Sequence, residues 1–194
     1  MWRIFEGKAE KYDEWYEVNR EIFEREVGCI ERLIEGRNIA EIGVGTGRFA
    51  EKLKVRIGVD ASLDMLRIAK KRGVKELVRG DAHNLPFKDS TFDCLLFIVT
   101  LCFLDNPTKA LNEANRVLKL NGKLIAAIVP KDSELGRRYI EKAKQGHRFY
   151  SRAKFYTLEE VKNMLEGAGF EVIDLRSVKI VSELDFVCIK AVKG

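Results

Sequence analysis

Between residues 38 and 130, short apolar runs alternate with amphipathic stretches, and this order restricts the fold more than any other feature of the chain. NIAEIG (38–43), VRIGVD (55–60), VKELVRGD (74–81), FDCLLFIVT (92–100) and KLNGKLIAAIVP (119–130) have strand length and are rich in Val, Ile and Leu. Between them lie a helix through Arg48–Leu53, a helix over SLDMLRIAKKRG (62–73) and a helix opened by Asn106 and Pro107. Ser62 caps the second of these and Gly73 falls just past its end. Strands separated by helices pair in parallel, with helices on both faces. FDCLLFIVT, apolar nearly throughout, suits a strand covered on both sides. Asn121-Gly122 predicts a turn ahead of the fifth strand. Further on, TLEEVKNMLEGAGF reads as a helix with a glycine stop, followed by strands FEVIDLRSV and ELDFVCIKAV. So few residues separate these two strands that they should pair antiparallel. The expected fold is α/β, a doubly wound, mostly parallel seven-stranded sheet of Rossmann-like type ending in an antiparallel hairpin.

The chain of 194 residues fits one domain. The expected division is an N-terminal helical lid (1–36), a ligand-binding core (37–130), an insert (131–156) and a last helix with its hairpin (157–194). An aromatic stripe, Phe5, Tyr12, Trp15 and Tyr16, marks the N-terminal part; it suits a lid over a ligand or a hydrophobic face docked on the sheet. No apolar run reaches the roughly 20 residues that a bilayer crossing needs, and the opening segment lacks the apolar core of a signal peptide. A cytoplasmic protein away from membranes is expected. Cys29, Cys94, Cys102 and Cys188 are scattered without a CxxC pair, which points to buried small hydrophobes rather than disulfides or metal ligands, so no metal is expected. The net charge of +5 is spread along the sequence, and a solvated surface accounts for it at least as well as nucleic acid does.

AEIGVGTGRFA (40–50) places glycines at 43, 45 and 47 directly after the first strand. Gly43 and Gly45 can take positive φ and leave room for a ligand against the main chain, and the following helix start favours an anionic group. A tight turn packing helix on strand is the plain alternative. A dinucleotide fingerprint would need glycine at 48, where Arg48 stands, and a P-loop would need a Gly-Lys-Ser/Thr ending. Asp60 ends the second strand, 17 residues after Gly43, where a carboxylate can accept from both ribose hydroxyls or simply cap the next helix. In RGDAHNLPF (79–87), Asp81 can accept from an adenine amino group and the Ala82 N–H can donate to the ring. Met65, one turn into the helix after Asp60, can pack on a flat base or in the core.

AEIGVGTGRFA, GVDAS, RGDAHNLPFKDSTFD and ALNEANRVLKLNGKLIAAI resemble, in unbroken order over residues 38–130, the motifs of class I S-adenosylmethionine-dependent methyltransferases. The likeness is greatest to the small-molecule subgroup typified by ubiquinone and menaquinone biosynthesis enzymes. The resemblance implies S-adenosylmethionine as cofactor, with S-adenosylhomocysteine as product. It implies that Glu41 and the Gly43 main chain hold the methionine ammonium, with Gly45 against the methionine end. By the same resemblance Asp60 takes the ribose, Ala61 and Met65 flank the adenine, and Asp81 with Ala82 reads its edge. Ile98 would meet the cofactor through its main chain, and Thr100 would lie beside the methyl group.

A sulfonium methyl group leaves readily, so alignment of donor and acceptor is the main demand on such a protein, and a general base is optional. His83 reads as structural or as an adenine neighbour. His147 is a candidate base or a plain solvated histidine. The insert sets Arg137, Arg138, Arg148 and Arg152 among Tyr139, Phe149, Tyr150, Phe155 and Tyr156, a mixture that suits gripping an acidic or planar acceptor. An amphipathic helix whose aromatics only pack would look the same. The substrate-side candidates are Tyr12, Tyr16, Arg137 and Tyr150. The favoured partner is a small-molecule acceptor rather than nucleic acid. An RNA methyltransferase, a non-catalytic S-adenosylmethionine-binding protein and a nucleotide-binding oxidoreductase are the rival readings. The oxidoreductase is opposed by the glycine spacing and by GDAHNLPF.

Overall fold

The computed structural model describes residues 6–194, so Phe5 of the aromatic stripe lies outside the described residues. Seven strands form one sheet: β1 (Ile39–Ile42), β2 (Ile57–Asp60), β3 (Glu76–Arg79), β4 (Phe92–Ile98), β5 (Leu118–Ile128), β6 (Phe170–Val178) and β7 (Phe186–Lys193). Their order is β3-β2-β1-β4-β5-β7-β6. The first five pair in parallel, while β7 runs antiparallel to both β5 and β6. Helices are α1 (Ala9–Val18), α2 (Arg20–Glu31), α3 (Arg48–Lys52), α4 (Leu63–Arg72), α5 (Pro107–Val117), α6 (Glu134–Lys144) and α7 (Leu158–Gly167). The expected doubly wound sheet with its antiparallel hairpin is thus the fold of the chain. Among the described residues, no helix is long and apolar enough to cross a membrane.

The alternation of β4 shows why its sequence is apolar from Cys94 onward. Leu95 and Phe97 enter the core shared with Ala110, Leu111, Val161 and Leu165 of α5 and α7. Cys94, Leu96 and Ile98 enter the opposite core, formed with Phe23, Ile30, Phe49 and Leu66 of α2, α3 and α4. The stretch buried on both faces holds no polar residue, while Asp93, half-buried near the strand's start, accepts from the Arg37 and Asn38 N–H groups and from Lys119.

The expected turn at Asn121-Gly122 is instead a kink inside β5. Phe92 pairs with Leu118 but Cys94 pairs with Lys123, so β5 carries extra residues that bulge out of the ladder. Asn121 absorbs them at φ +60°, a left-handed conformation that asparagine tolerates. β3 is also shorter than the apolar run suggested, ending at Arg79 before Gly80 and Asp81 turn away.

The α6 helix is fixed at its N-terminus. Ser133 accepts from the Gly136 N–H at 2.9 Å, and Asp185 accepts from the Leu135 N–H at 3.0 Å. A Cβ at Gly136 would fall 1.9 Å from the Pro130 carbonyl oxygen. Gly136→Ala should therefore lower unfolding free energy by roughly 3 kcal/mol, read from a denaturant melt. An unchanged midpoint would show that α6 shifts at no cost.

Candidate active site

Strand order reverses between the parallel neighbours β1 and β4, since β2 and β3 extend one way from β1 while β4 and β5 extend the other. Ligands of open α/β sheets bind at the carboxyl ends of the strands beside such a reversal. A cavity of about 210 Å³ opens there, walled by Gly43, Gly45, Asp60, Met65, Asp81 and Ile98 among others. Ala61, Ala82 and Thr100 complete the set of motif residues that reach it.

The glycine loop is held from three sides. The Gly43 and Val44 N–H groups donate to the Val59 carbonyl at 2.8 and 2.9 Å. Asp60 accepts from the Gly45 N–H through Oδ2 at 2.9 Å and from the Ser62 N–H through Oδ1 at 2.8 Å. Burial raises the Asp60 pKa above the ordinary carboxylate value, against the pull of these main-chain donors. Gly43 has φ +76°, and a Cβ there would meet the Thr100 side chain at 2.5 Å. Thr100 cannot easily yield, because its hydroxyl is placed between the Ile42 and Ile98 carbonyls, each at 3.1 Å. Gly45, at φ +54°, has no protein atom closer than 4.0 Å to where a Cβ would stand.

Glu41 lies outside this cavity wall. Its carboxyl is 2% exposed, and Oε2 has no hydrogen-bond partner among the described residues. Burial, and then the nearby Asp60 charge, push its pKa well above the ordinary value. Asp81 and His83 form a unit at the far end. The Asp81 Oδ1 accepts from the His83 N–H at 2.9 Å and lies 2.6 Å from Nδ1, while His83 Nε2 accepts from the Asn106 N–H at 3.2 Å. The ring therefore carries its proton on Nδ1 and braces the loop after β3 against the start of α5. Burial opposes the Asp81 charge, but the main-chain and ring bonds of His83 outweigh it, and its pKa is lowered.

A second cavity, of about 190 Å³, adjoins the first; Tyr12, Val99 and Phe103 line both. Trp15, Tyr16, Tyr139, His147 and Tyr150 are among its walls, as is Glu26 of α2. The rings support one another: Tyr139 stacks on Tyr150 with centroids 4.3 Å apart, and His147 stacks on the same tyrosine at 4.2 Å. Tyr12 meets Tyr16 edge to face at 5.8 Å, with their hydroxyls 3.2 Å apart. Burial first, then Lys142 and Lys11, lower the His147 pKa. Val99, between the cavities, holds φ +51°, a strained conformation for a β-branched residue.

Arg137 reaches neither cavity. It is exposed on α6 and donates to the Asp132 carbonyl at 2.7 Å. Glu26 carried a signal that the sequence reading passed over. Phe23, Val27 and Ile30 form the buried stripe of α2, and an acid stands within it at position 26.

α1 is tied across the glycine loop by one acid, Asp13, whose side chain is 15% exposed. It accepts from Arg48 at 2.8 and 2.6 Å, from Arg72 at 2.7 and 3.2 Å, and from the Thr46 hydroxyl at 2.6 Å. Burial opposes the charge, but the arginine bonds prevail and bring its pKa down to about 2. Asp13→Ala should lower unfolding free energy by about 3 kcal/mol at neutral pH, because two guanidinium groups lose their common counter-ion. A depressed folded-state pKa stabilises above the ordinary carboxylate value, near pH 4, and that gain fades as pH falls through about 2. Denaturant melts of wild type and Asp13→Asn should hence converge toward pH 2; a constant gap would contradict the assignment.

Residues 40–126 match the family described as methyltransferase domain. An uncharacterized protein of Methanocaldococcus jannaschii is 44% identical over 185 residues, spanning 95% of this chain and 88% of that protein. A demethylmenaquinone methyltransferase of Thermotoga maritima is 30% identical over 203 residues, spanning 88% of this chain and 87% of that enzyme. A crystal structure from Thermotoga maritima, described as a SAM-dependent methyltransferase and possible histamine N-methyltransferase, is similar with a TM-score of 0.91 at 40% identity, covering 100% of both chains. The chain belongs to the class I S-adenosylmethionine-dependent methyltransferases, of the quinone-methyltransferase-like type.

Proposed function

We propose that the glycine-loop cavity holds S-adenosylmethionine and that the aromatic cavity beside it receives a small-molecule methyl acceptor. The observation that carries this reading is the pair of adjoining cavities sharing Tyr12, Val99 and Phe103. The residues fit the cofactor chemically. Asp60 and Asp81 offer acceptor oxygens in the wall of the first cavity, and Met65 and Ile98 offer apolar wall for a base. Gly45 leaves space that any larger residue would fill, and Glu41, in β1 just ahead of the loop, keeps its Oε2 without a partner among the described residues. When bound, the cofactor supplies a sulfonium methyl group for in-line displacement.

In this reading Asp60 serves twice, pinning Gly45 and accepting from the ribose. Ala61 lies beside the adenine, and Asp81 with Ala82 reads its edge. Thr100 stands near the reacting methyl. Tyr12 lines both cavities and Tyr16 the second, so within the segment 1–36 it is α1 that acts as the lid, with 37–130 as the cofactor core, 131–156 as the acceptor cover, and 157–194 completing the sheet of one domain. Tyr150 and the His147 ring stacked on it close the acceptor side. With its pKa lowered, His147 is unprotonated at neutral pH and able to take a proton from an acceptor, though transfer to a ready nucleophile needs none. Four free cysteines suit a reducing compartment, and we place the protein in the cytoplasm.

One named relative is a demethylmenaquinone methyltransferase and the other is described as a possible histamine N-methyltransferase, so their names do not select an acceptor. The test is incubation with methyl-labelled S-adenosylmethionine and a panel of small phenols, thiols, carboxylates and amines, with RNA as a separate arm. Label in a small molecule is expected. Label in RNA alone, or cofactor binding without turnover on any acceptor, would overturn the reading.

A further inference from the structure

Resting on the reading of the aromatic cavity as the acceptor chamber, we infer that this chamber selects a cation, namely a compact amine whose ammonium pairs with Glu26 while the surrounding rings face its charge. Glu26 is 6% exposed, and among the described residues it has no hydrogen bond or ion pair. Glu24 on the same helix, by contrast, bonds Lys52 at 2.8 Å. A buried carboxyl with no protein partner is costly unless something else supplies one. Here the acid borders a cavity, so a ligand can supply it.

The walls specify the sign of that ligand. Trp15, Tyr139 and Phe149 add rings to the wall, and a ring face is electronegative, so it attracts ammonium groups and gives nothing to anions; Tyr150, stacked between Tyr139 and His147, and Tyr16, with Arg48 over its ring, complete the wall without a free face. The arginines that the insert sequence offered for an acidic acceptor are not among the lining residues. Lys11 is the one lysine or arginine in the wall among the described residues, and it is exposed at the rim rather than buried beside Glu26. An acid inside and a base at the mouth suit a molecule that enters with its positive end first.

Protonation provides a signature. Burial, and then Cys29 one turn along α2, raise the Glu26 pKa to about 8. The other titratable groups facing it come from several elements. Tyr12 and Tyr16 on α1, Tyr139 on α6 and Tyr150 after it are all held neutral by burial at this pH. His147 is lowered, Lys11 stays at the rim, and the Cys29 thiol is drawn down by its hydrogen bond with Cys188 of β7. Near neutral pH Glu26 is thus largely protonated, and pairing with an ammonium expels that proton. Amine affinity should rise about tenfold per pH unit up to about pH 8 and then level.

The experiment is calorimetric titration of the full chain, saturated with S-adenosylhomocysteine, using 2-phenylethylamine, 2-phenylethanol and phenylacetate as probes of one shape and three charges. The amine should bind at least tenfold tighter than the alcohol at pH 8, and phenylacetate should bind weakest. Wild type alone should show the pH dependence, whatever any variant does. Glu26→Gln, close in shape, should erase both the amine preference and the pH dependence while leaving S-adenosylhomocysteine affinity unchanged. Equal or tighter binding of the alcohol, with affinity rising as pH falls, would overturn the inference and make Glu26 a proton donor to a neutral acceptor. Failure of S-adenosylhomocysteine itself to bind is a separate result and would remove the underlying cofactor reading.

Discussion

Replacing Gly43 by alanine should weaken S-adenosylhomocysteine binding roughly a hundredfold, a loss of roughly 3 kcal/mol. Two costs combine. Gly43 sits at φ +76°, where a Cβ crowds its own carbonyl, and that Cβ would fall 2.5 Å from the Thr100 side chain. Neither partner has a free path away, since the Gly43 N–H is bonded to Val59 and Thr100 is bonded to Ile42 and Ile98. The melting temperature should fall with it, by roughly 5–10 °C for a chain of this size. Gly45→Ala separates the causes. Its Cβ would touch no protein atom within 4.0 Å, so the fold should lose only the left-handed cost of roughly 1 kcal/mol. Cofactor affinity should nevertheless drop, because the added methyl takes room along the cavity wall. If both variants bound S-adenosylhomocysteine as wild type does, the cofactor would not lie against this loop.

The second large effect belongs to Asp60. Asp60→Ala removes the acceptor for the Gly45 and Ser62 N–H groups together with the oxygens facing the cavity. A loss of roughly 2–4 kcal/mol in S-adenosylhomocysteine binding is expected, while the folded signal in circular dichroism persists. Asp60→Asn keeps the shape and one acceptor oxygen, and should fall between. The pH profile carries the sign. Burial raises the Asp60 pKa, so the carboxylate is lost at a higher pH than for an exposed aspartate. Cofactor affinity should therefore decline on acidification before ordinary carboxylates titrate, and Asp60→Asn should lack that decline. A profile unchanged by the substitution would remove Asp60 from the site.

How much of this was legible in the sequence depends on the range of the interactions. Strand and helix order follow from local periodicity, and the caps at Ser62 and Asn106 are local as well, each accepting from a main-chain N–H three residues on. The motif residues at the ends of β1, β2 and β4, and just past the end of β3, come together because parallel strands in register bring their carboxyl ends to one edge. Asn121-Gly122 misled because a left-handed residue makes a bulge as readily as a turn, and only the partner strand decides between them. The Asp13 bridge to Arg48 and Arg72 joins residues 35 and 59 positions apart, and no local pattern announces it. Glu26 is an intermediate case. Its place in the apolar stripe of α2 was visible, but the cavity it borders is assembled from α1, α2, α6 and the ends of β4 and β5. Arg137 shows the reverse, an attractive composition on the exposed side of its helix.

Whether the glycine loop holds S-adenosylmethionine is decided by calorimetric titration of the wild-type protein with S-adenosylmethionine, S-adenosylhomocysteine and NAD in parallel. One site per chain with micromolar affinity for the first two, and no heat from NAD, is expected. Binding of NAD alone, or of none of the three, would contradict that assignment.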